Sequence, residues 1–423
     1  MAFRSVLVTF LAALAAAGAA SARASDLASL TTAARTILGP EQGVYVEAAD
    51  GTVLLAQAAS TAVHPASVSK VPTTLALLRK LGPDHRFVTT FTGKGHLVDG
   101  TLYGDLIVQS DGDPSLVDED ALLVASRLRQ AGINRLAGTL RLQGPLTFDW
   151  KVDSDGASLR RAMSGVTPPA ALQAVQALEV LNATTATVDS LAPPVGIRFA
   201  AAAVFSADNL AAGTARIKEL NGEHPLIVHR SQPLLPLVKS LNDYSNNIFA
   251  PFADAAGGAA AVQQLARSIV PEEMRSEITL GDGAGADPTN RLSPRVAVRL
   301  LRALEQQLAV SGHALCDILP VAGIDQGTLH DRLNGPGEVG HVLGKTGTFG
   351  DYGASALIGA VSTTDRGTVY FAILNHNVPV PQARKRQDLF VRALLAQLPT
   401  VAWKYARDPR PAINRAEVVI SLP

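Results

Sequence analysis

Apolar and polar positions alternate with a period of two across residues 43–57, where Val44 and Val46 are answered by Val53 and Leu55 across Asp50-Gly51. Alternation puts one set on each face of a strand, and Asp-Gly tolerates the positive φ of a tight turn, so the pattern predicts a β-hairpin. The period then changes. Leu75, Leu77, Leu78 and Leu81 predict a buried helix over 71–81, stopped by Gly82-Pro83. Pro72 removes a backbone donor near its start, so a tightened or irregular first turn is expected.

Between about 86 and 230 the pattern breaks into short alternating segments, such as 102–108 and 138–142, separated by Gly, Pro and Asp turns. This stretch reads as a β-rich insertion with a few helices, one over 119–130 with Asp118 as its cap. Asp111, Asp113, Asp118 and Asp120 lack the Gly and terminal Glu of a calcium loop, so they are read as turn and cap residues. Helical periodicity returns over 236–255 and 294–308. Three strand-like runs follow, at 339–348, 355–361 and 368–374, with a turn at 363–367 and a helix from about 384 to 398. A hairpin first, helices in the middle, then three strands and a helix describe one α/β (α+β) domain split by the insertion. The expected division is 25–88 with 228–400 for that domain, 89–227 for the insertion, and 401–423 as a tail.

Composition changes the picture in three places. The 423 residues exceed the usual single core, and 47% hydrophobic against 17% charged residues is globular rather than disordered. The first residues read as an export leader: Arg4, an apolar run over 6–20, and a small-x-small site at Ala22-Arg23-Ala24, with cleavage expected near Ala24. An uncleaved anchor is the other reading, and the run is short for it. Removing Arg4 and Arg23 turns 37 basic and 37 acidic residues into 35 against 37, which argues against a nucleic-acid partner. A single cysteine, Cys316, excludes an intrachain disulfide and a Cys-based zinc cluster, and none of the nine histidines forms His-Glu-x-x-His. No metal or other cofactor is expected. No Gly-x-Ser-x-Gly occurs, so an α/β-hydrolase nucleophile is disfavoured too.

Three short strings carry chemistry: Ser67-Val68-Ser69-Lys70, Ser245-Asn246-Asn247 and Lys345-Thr346-Gly347-Thr348. If Ser67 opens a helix, Lys70 lies on the same face with its amine within reach of the hydroxyl. A lysine made partly neutral by burial and a neighbouring cation can take the Ser67 proton and turn a poor nucleophile into a competent one. Ser245 then relays a proton toward the leaving amine, and Asn247 exchanges hydrogen bonds with the substrate backbone. In the third string Lys345 offers positive charge to a substrate carboxylate, Thr346 and Thr348 offer hydroxyls, and Gly347 leaves room for a ligand laid along the strand. Backbone amides of Ser67 and Thr348 form a candidate oxyanion hole, worth roughly 3 kcal/mol per donor in comparable sites.

At these residues the sequence resembles the D-alanyl-D-alanine carboxypeptidase/endopeptidase family of class C low-molecular-mass penicillin-binding proteins, peptidase family S13. The resemblance extends to His64-Pro65-Ala66, Tyr103-Gly104-Asp105-Leu106, Asp111-Gly112-Asp113-Pro114, Asn242 and Leu319-Pro320-Val321-Ala322-Gly323. It implies a β-lactamase/transpeptidase-like domain with an antiparallel sheet flanked by helices, periplasmic location, peptidoglycan muropeptides as substrates and β-lactams as covalent inhibitors. Peripheral association with membrane or wall is compatible with it. The long interval between Ser67 and Ser245 also resembles this family. Three departures stand out: Ala286-Asp287-Pro288 where Leu-Ser-Arg is usual, Pro72, and Asn246 where Asp is commoner. A serine β-lactamase shares the trio but needs a deacylating base, and Glu272, Glu273 and Glu277 sit in no setting that suits one. A wall-binding protein without turnover is a further alternative.

Overall fold

The hairpin forms where the alternation predicts, and it is built into a larger sheet. In the computed structural model, which describes residues 28–182, 195–203, 217–245, 249–350, 353–409 and 415–421, β1 (Gly43–Ala48) pairs antiparallel with β2 (Val53–Gln57), with a bulge at Val46/Glu47. The leader read over 1–24 lies outside the described residues. The chain then enters a 3-10 turn, Ala66–Ser69, and α1, Lys70–Leu81. The irregular first turn expected from Pro72 is this 3-10 segment. Lys70 through Leu78 are all buried. A segment buried on every side lies in the interior, which is where Lys70 loses its water.

Contacts divide the chain into two units, Met1–Leu81 with Val238–Arg407, and Gly82–Leu237 with Asp408–Pro423. In the second, β3 (Val88–Val98) and β4 (Thr101–Ser110) form a hairpin over Asp99 and Gly100, both at positive φ. The helix α2 spans Asp118–Gln130. Its capping differs from the expectation: Asp118 lies inside the helix, and the Asp120 carboxylate turns back to accept from the Val117 N–H at 3.1 Å. Position three of the helix, not the residue before it, reaches that orphan donor. Strand β5 (Ile227–Arg230) pairs with β3. Phe91, Leu102, Leu106, Leu128, Leu159 and Ile227 share this unit's core.

The helix expected over 236–255 is two helices, α3 (Leu234–Tyr244) and α4 (Phe249–Ala255). A competing bond ends the first: the Asp243 carbonyl accepts from Thr328 N at 2.8 Å and Thr328 Oγ1 at 3.2 Å, and Ser245 turns to φ +56°. Next come α5 (Pro294–Val310), capped by Ser293 Oγ, and three antiparallel strands: β6 (Val342–Phe349), β7 (Ala354–Thr363) and β8 (Gly367–His376). Helix α6 (Val380–Gln397) begins four residues earlier than the pattern suggests, because Pro381 in the first turn removes only an orphan donor. Residues 401–423, read as a tail, contain β9 (Glu417–Ile420), which pairs with β5.

The strand order in the first unit is β6-β7-β8-β1-β2. Val44 and Val46 join Leu357, Phe371, Ile373, Phe390 and Leu394 in one core, each such side chain contributing roughly 1.5–3 kcal/mol by burial. Alternate residues face the other way, where the fully buried Glu47 accepts from Tyr45 OH at 2.8 Å and pairs with Arg302 and, at 3.4 Å, Arg299 of α5. Period-two alternation therefore places α6 on one face and α5 on the other. The domain is the α/β type expected, an antiparallel sheet flanked by helices. Among the described residues no helix is long and apolar enough to cross a membrane.

Candidate active site

The Ser67 turn is locked before the helix begins. Ala66 sits at φ +49°, a left-handed conformation costing roughly 1–2 kcal/mol for a residue with a Cβ. The Ala66 N–H donates to His64 Nδ1 at 3.1 Å, while His64 Nε2 donates to the Asp287 carbonyl at 2.9 Å, and the ring stacks on Phe349 at 3.9 Å. Burial holds this imidazole below its ordinary pKa. Both nitrogens are engaged in shaping the turn, as a structural histidine rather than a triad base requires.

Ser67 keeps 8% of its surface, so it is not sealed from solvent. Lys70 Nζ donates to Ser67 Oγ at 2.8 Å and to the Ala284 carbonyl at 2.5 Å, with the Phe249 ring 5.7 Å away. Burial lowers its pKa to about 8, against a smaller opposing pull from Asp282.

The loop that departs from the family pattern supplies that carbonyl. Asp282 accepts from the backbone N–H groups of Gly285 at 2.8 Å, Ala286 at 2.8 Å and Asp287 at 3.2 Å, and from Asn290 Nδ2 at 2.8 Å. Burial alone would raise its pKa, yet these donors hold it below the usual carboxylate value. Ala286 and Asp287 thus serve through their backbones, which any residue can do. Gly285, at φ +88°, has no such freedom: a Cβ there would fall 2.1 Å from the Ala66 carbonyl oxygen.

Lys345 reaches the same centre from β6. Its side chain is fully buried, and Nζ donates to Ser245 Oγ at 2.7 Å and to the Thr346 carbonyl at 2.9 Å. Burial, then the nearby Lys70 cation, push its pKa well below the ordinary lysine value, with Asp243 pulling the other way. The amine expected to face a substrate carboxylate is thus buried and within proton-transfer distance of the Ser245 hydroxyl. Asn247 lies outside the described residues.

A buried ionic cluster supports Ser245 from below. Lys239 donates to Asp325 Oδ2 at 2.5 Å and to the Leu319 carbonyl at 2.6 Å, and stands 3.4 Å from Asp243. Tyr405 OH closes the other oxygen of Asp325 at 2.7 Å. Burial, with Asp325 nearby, raises Asp243 to about 7 against the pull of Lys239. Asn242 Nδ2 donates to the Ile318 carbonyl at 2.9 Å, fixing the same helical turn.

Strand β6 ends the sheet. Its first half is paired on the outer side, Ala322 N donating to the Val342 carbonyl at 2.8 Å and Gly344 N to that of Pro320 at 3.0 Å. From Lys345 onward no described strand covers that edge. A Cβ on Gly347 would lie 2.7 Å from the Pro65 carbonyl oxygen and 3.1 Å from Ser67 N, so the strand and the Ser67 turn touch here. Thr346 is buried; Thr348 is exposed and accepts from Arg384 Nη2 at 2.8 Å. Sequence reasoning missed Arg384, whose helix pattern gives no hint of the strand it faces. The glutamates weighed as deacylating bases are elsewhere engaged or exposed: Glu277 pairs with Arg295 and accepts from Ser293 Oγ at 2.5 Å, and Glu272 and Glu273 are on the surface.

Comparison with known proteins places these features in company. Residues 23–187 and 198–397 match the D-Ala-D-Ala carboxypeptidase 3 (S13) family. Carboxypeptidase DacB of Mycolicibacterium smegmatis is 25% identical over 383 residues, covering 84% of this chain and 80% of its own. Among solved structures, the penicillin G-acylated Bd3459 predatory endopeptidase of Bdellovibrio bacteriovorus aligns with a TM-score of 0.67 at 21% identity, over 89% of this chain and 99% of that one. Penicillin-binding protein 4 of Haemophilus influenzae aligns with a TM-score of 0.56 at 19% identity, over 84% and 95%.

Proposed function

From the premise that the chain belongs to the S13 D-Ala-D-Ala carboxypeptidase family, we propose that Ser67 is the nucleophile of a serine D,D-peptidase acting on peptidoglycan peptides. The observation that carries the reading is the Lys70 amine, 2.8 Å from Ser67 Oγ with its pKa lowered to about 8. Lys70 takes the hydroxyl proton as Oγ attacks the penultimate D-Ala carbonyl. The amides of Ser67 and Thr348 receive the oxyanion. The C–N bond breaks as Ser245, bonded to Lys345, relays to the departing amine the proton that Lys70 took up, and water later attacks the Ser67 ester, freeing the acid and returning a proton to Ser67 Oγ. Thr346, Gly347 and Thr348 hold the peptide as an added strand on the open edge of β6, and Asn247 binds its backbone. A D-Ala-meso-diaminopimelate cross-link presents the same acyl group with a different leaving amine. β-Lactams acylate the same oxygen. We place the protein in the periplasm, exported by a leader cleaved near Ala24.

The test is incubation with a labelled penicillin followed by peptide mapping, alongside assay of D-alanine release from an acyl-D-Ala-D-Ala peptide. An adduct on the Ser67 peptide, lost in Ser67→Ala together with release, is expected. Labelling elsewhere, or release that survives Ser67→Ala, overturns the assignment. Sustained rapid turnover of a chromogenic β-lactam would move it to the β-lactamases, and an adduct without release to a wall-binding protein.

A further inference from the structure

With Lys345 buried and engaged at Ser245, a surface-accessible cation for an anionic peptide end at the open edge of β6 has to come from another element. Both lysines of the centre are buried and hydrogen-bonded within it. The geometry points to Arg384: resting on the reading of the site as a D,D-peptidase, we propose that its guanidinium receives the C-terminal carboxylate of the substrate together with the hydroxyls of Thr346 and Thr348.

Four observations converge on this residue. Arg384 is exposed on α6 and donates Nη2 to Thr348 Oγ1 at 2.8 Å, which fixes it beside the uncovered half of the strand. Thr346 and Thr348 are two residues apart on β6 and so point to the same side. None of the ion pairs found among the described residues includes Arg384, because the acid one turn further along α6, Asp388, is held by Arg332 through Nη2 at 2.6 Å and Nε at 3.0 Å. The helix itself is pinned at that turn: buried Gln387 donates to Ser355 Oγ at 3.1 Å on β7 and to Asn375 Oδ1 at 2.9 Å on β8, and accepts from Arg332 Nη2 at 3.0 Å. A guanidinium with five donors, one of them spent on Thr348, retains a planar fork for a carboxylate, and a rigid mount preserves its aim.

The experiment compares an acyl-D-Ala-D-Ala peptide bearing a free C-terminal carboxylate with its C-terminal carboxamide, on the wild-type protein, Arg384→Gln and Arg384→Lys. The wild type is expected to prefer the carboxylate in kcat/KM. In Arg384→Gln that preference falls about tenfold or more, carried by KM, the size expected when one charge-assisted hydrogen bond is lost; Arg384→Lys restores part of it. A loss equal on both peptides, a preference that Arg384→Gln keeps, or a wild type with no preference overturns the proposal while leaving the peptidase reading intact. A wild type that releases D-alanine from neither peptide and takes no penicillin on Ser67 overturns both.

Discussion

Lys345 Nζ donates to Ser245 Oγ at 2.7 Å, joining the edge strand of the sheet to the residue at which α3 stops. If the pair moves one proton between them, its members do not act separately. Ser245→Ala and Lys345→Met are each expected to slow acylation by a β-lactam about 100-fold or more. The double variant should be little slower than the worse single one, whereas multiplied effects would show two independent roles. Stopped-flow or quench measurement of the acylation rate decides between them. Lys345→Arg should not rescue, since a planar guanidinium fits poorly into a fully buried lysine site.

The Lys70 amine is a base only when neutral. With its pKa lowered to about 8, roughly one molecule in ten is in that form at pH 7, and the fraction grows as pH rises. Acylation measured as kcat/KM should therefore climb through pH 8 and level off above it. A flat profile between pH 6 and 9 would show that proton removal from Ser67 does not depend on this amine.

Gly347 lies where a Cβ meets the Pro65 carbonyl oxygen at 2.7 Å. Gly347→Ala must push β6 away from the Ser67 turn, and displacements of about 1 Å cost about 100-fold in rate when reacting groups are pre-positioned. The expected outcome is that loss in acylation rate with a thermal midpoint lowered by only a few degrees. A variant acylated at the wild-type rate would mean that the contact does not position Ser67.

Lys239 neutralises a pair of buried carboxylates, so Lys239→Met leaves Asp325 and Asp243 uncompensated. Breaking such a cluster costs about 3–5 kcal/mol. The sign of its pH dependence follows from Asp243, whose pKa in the folded protein is about 7, above its ordinary value. Its burial penalty is absent once the group is protonated in both states and is complete above pH 7. Without Lys239 that penalty grows at high pH, so the variant should lose more stability at pH 8 than at pH 5. Urea unfolding at the two values measures it, and equal losses would place the effect in packing rather than charge.

Much of this site is written locally. Ser67 and Lys70 are three residues apart in one helical turn, and the alternating 43–57 hairpin needs only its own residues to be read. What could not be read is set by distant groups. Helix α3 ends because Thr328 takes the Asp243 carbonyl, 85 residues away, and nothing in the 236–255 periodicity signals that competition. The setting of Lys345 likewise depends on distant groups: as a residue type it offers a cation, and only the fold buries it and bonds it to Ser245, 100 residues away. Arg384 escaped notice because an arginine in the first turns of a helix is ordinary, and only the packing of α6 on β7, beside β6, puts it on Thr348.

Strand β1 is hydrogen-bonded to β8 with Val44 opposite Ile373, so the middle of the sheet joins segments over three hundred residues apart. Loop closure of that length makes the sheet slow to form and forces it to wait for synthesis of the last strands. The Ser67–Lys70 turn is made early, but the strand that braces it through Gly347 comes late. A chain still being synthesised therefore carries Ser67 without its bracing strand, and on the proposed reading reactivity toward β-lactams should appear only on completion of the fold.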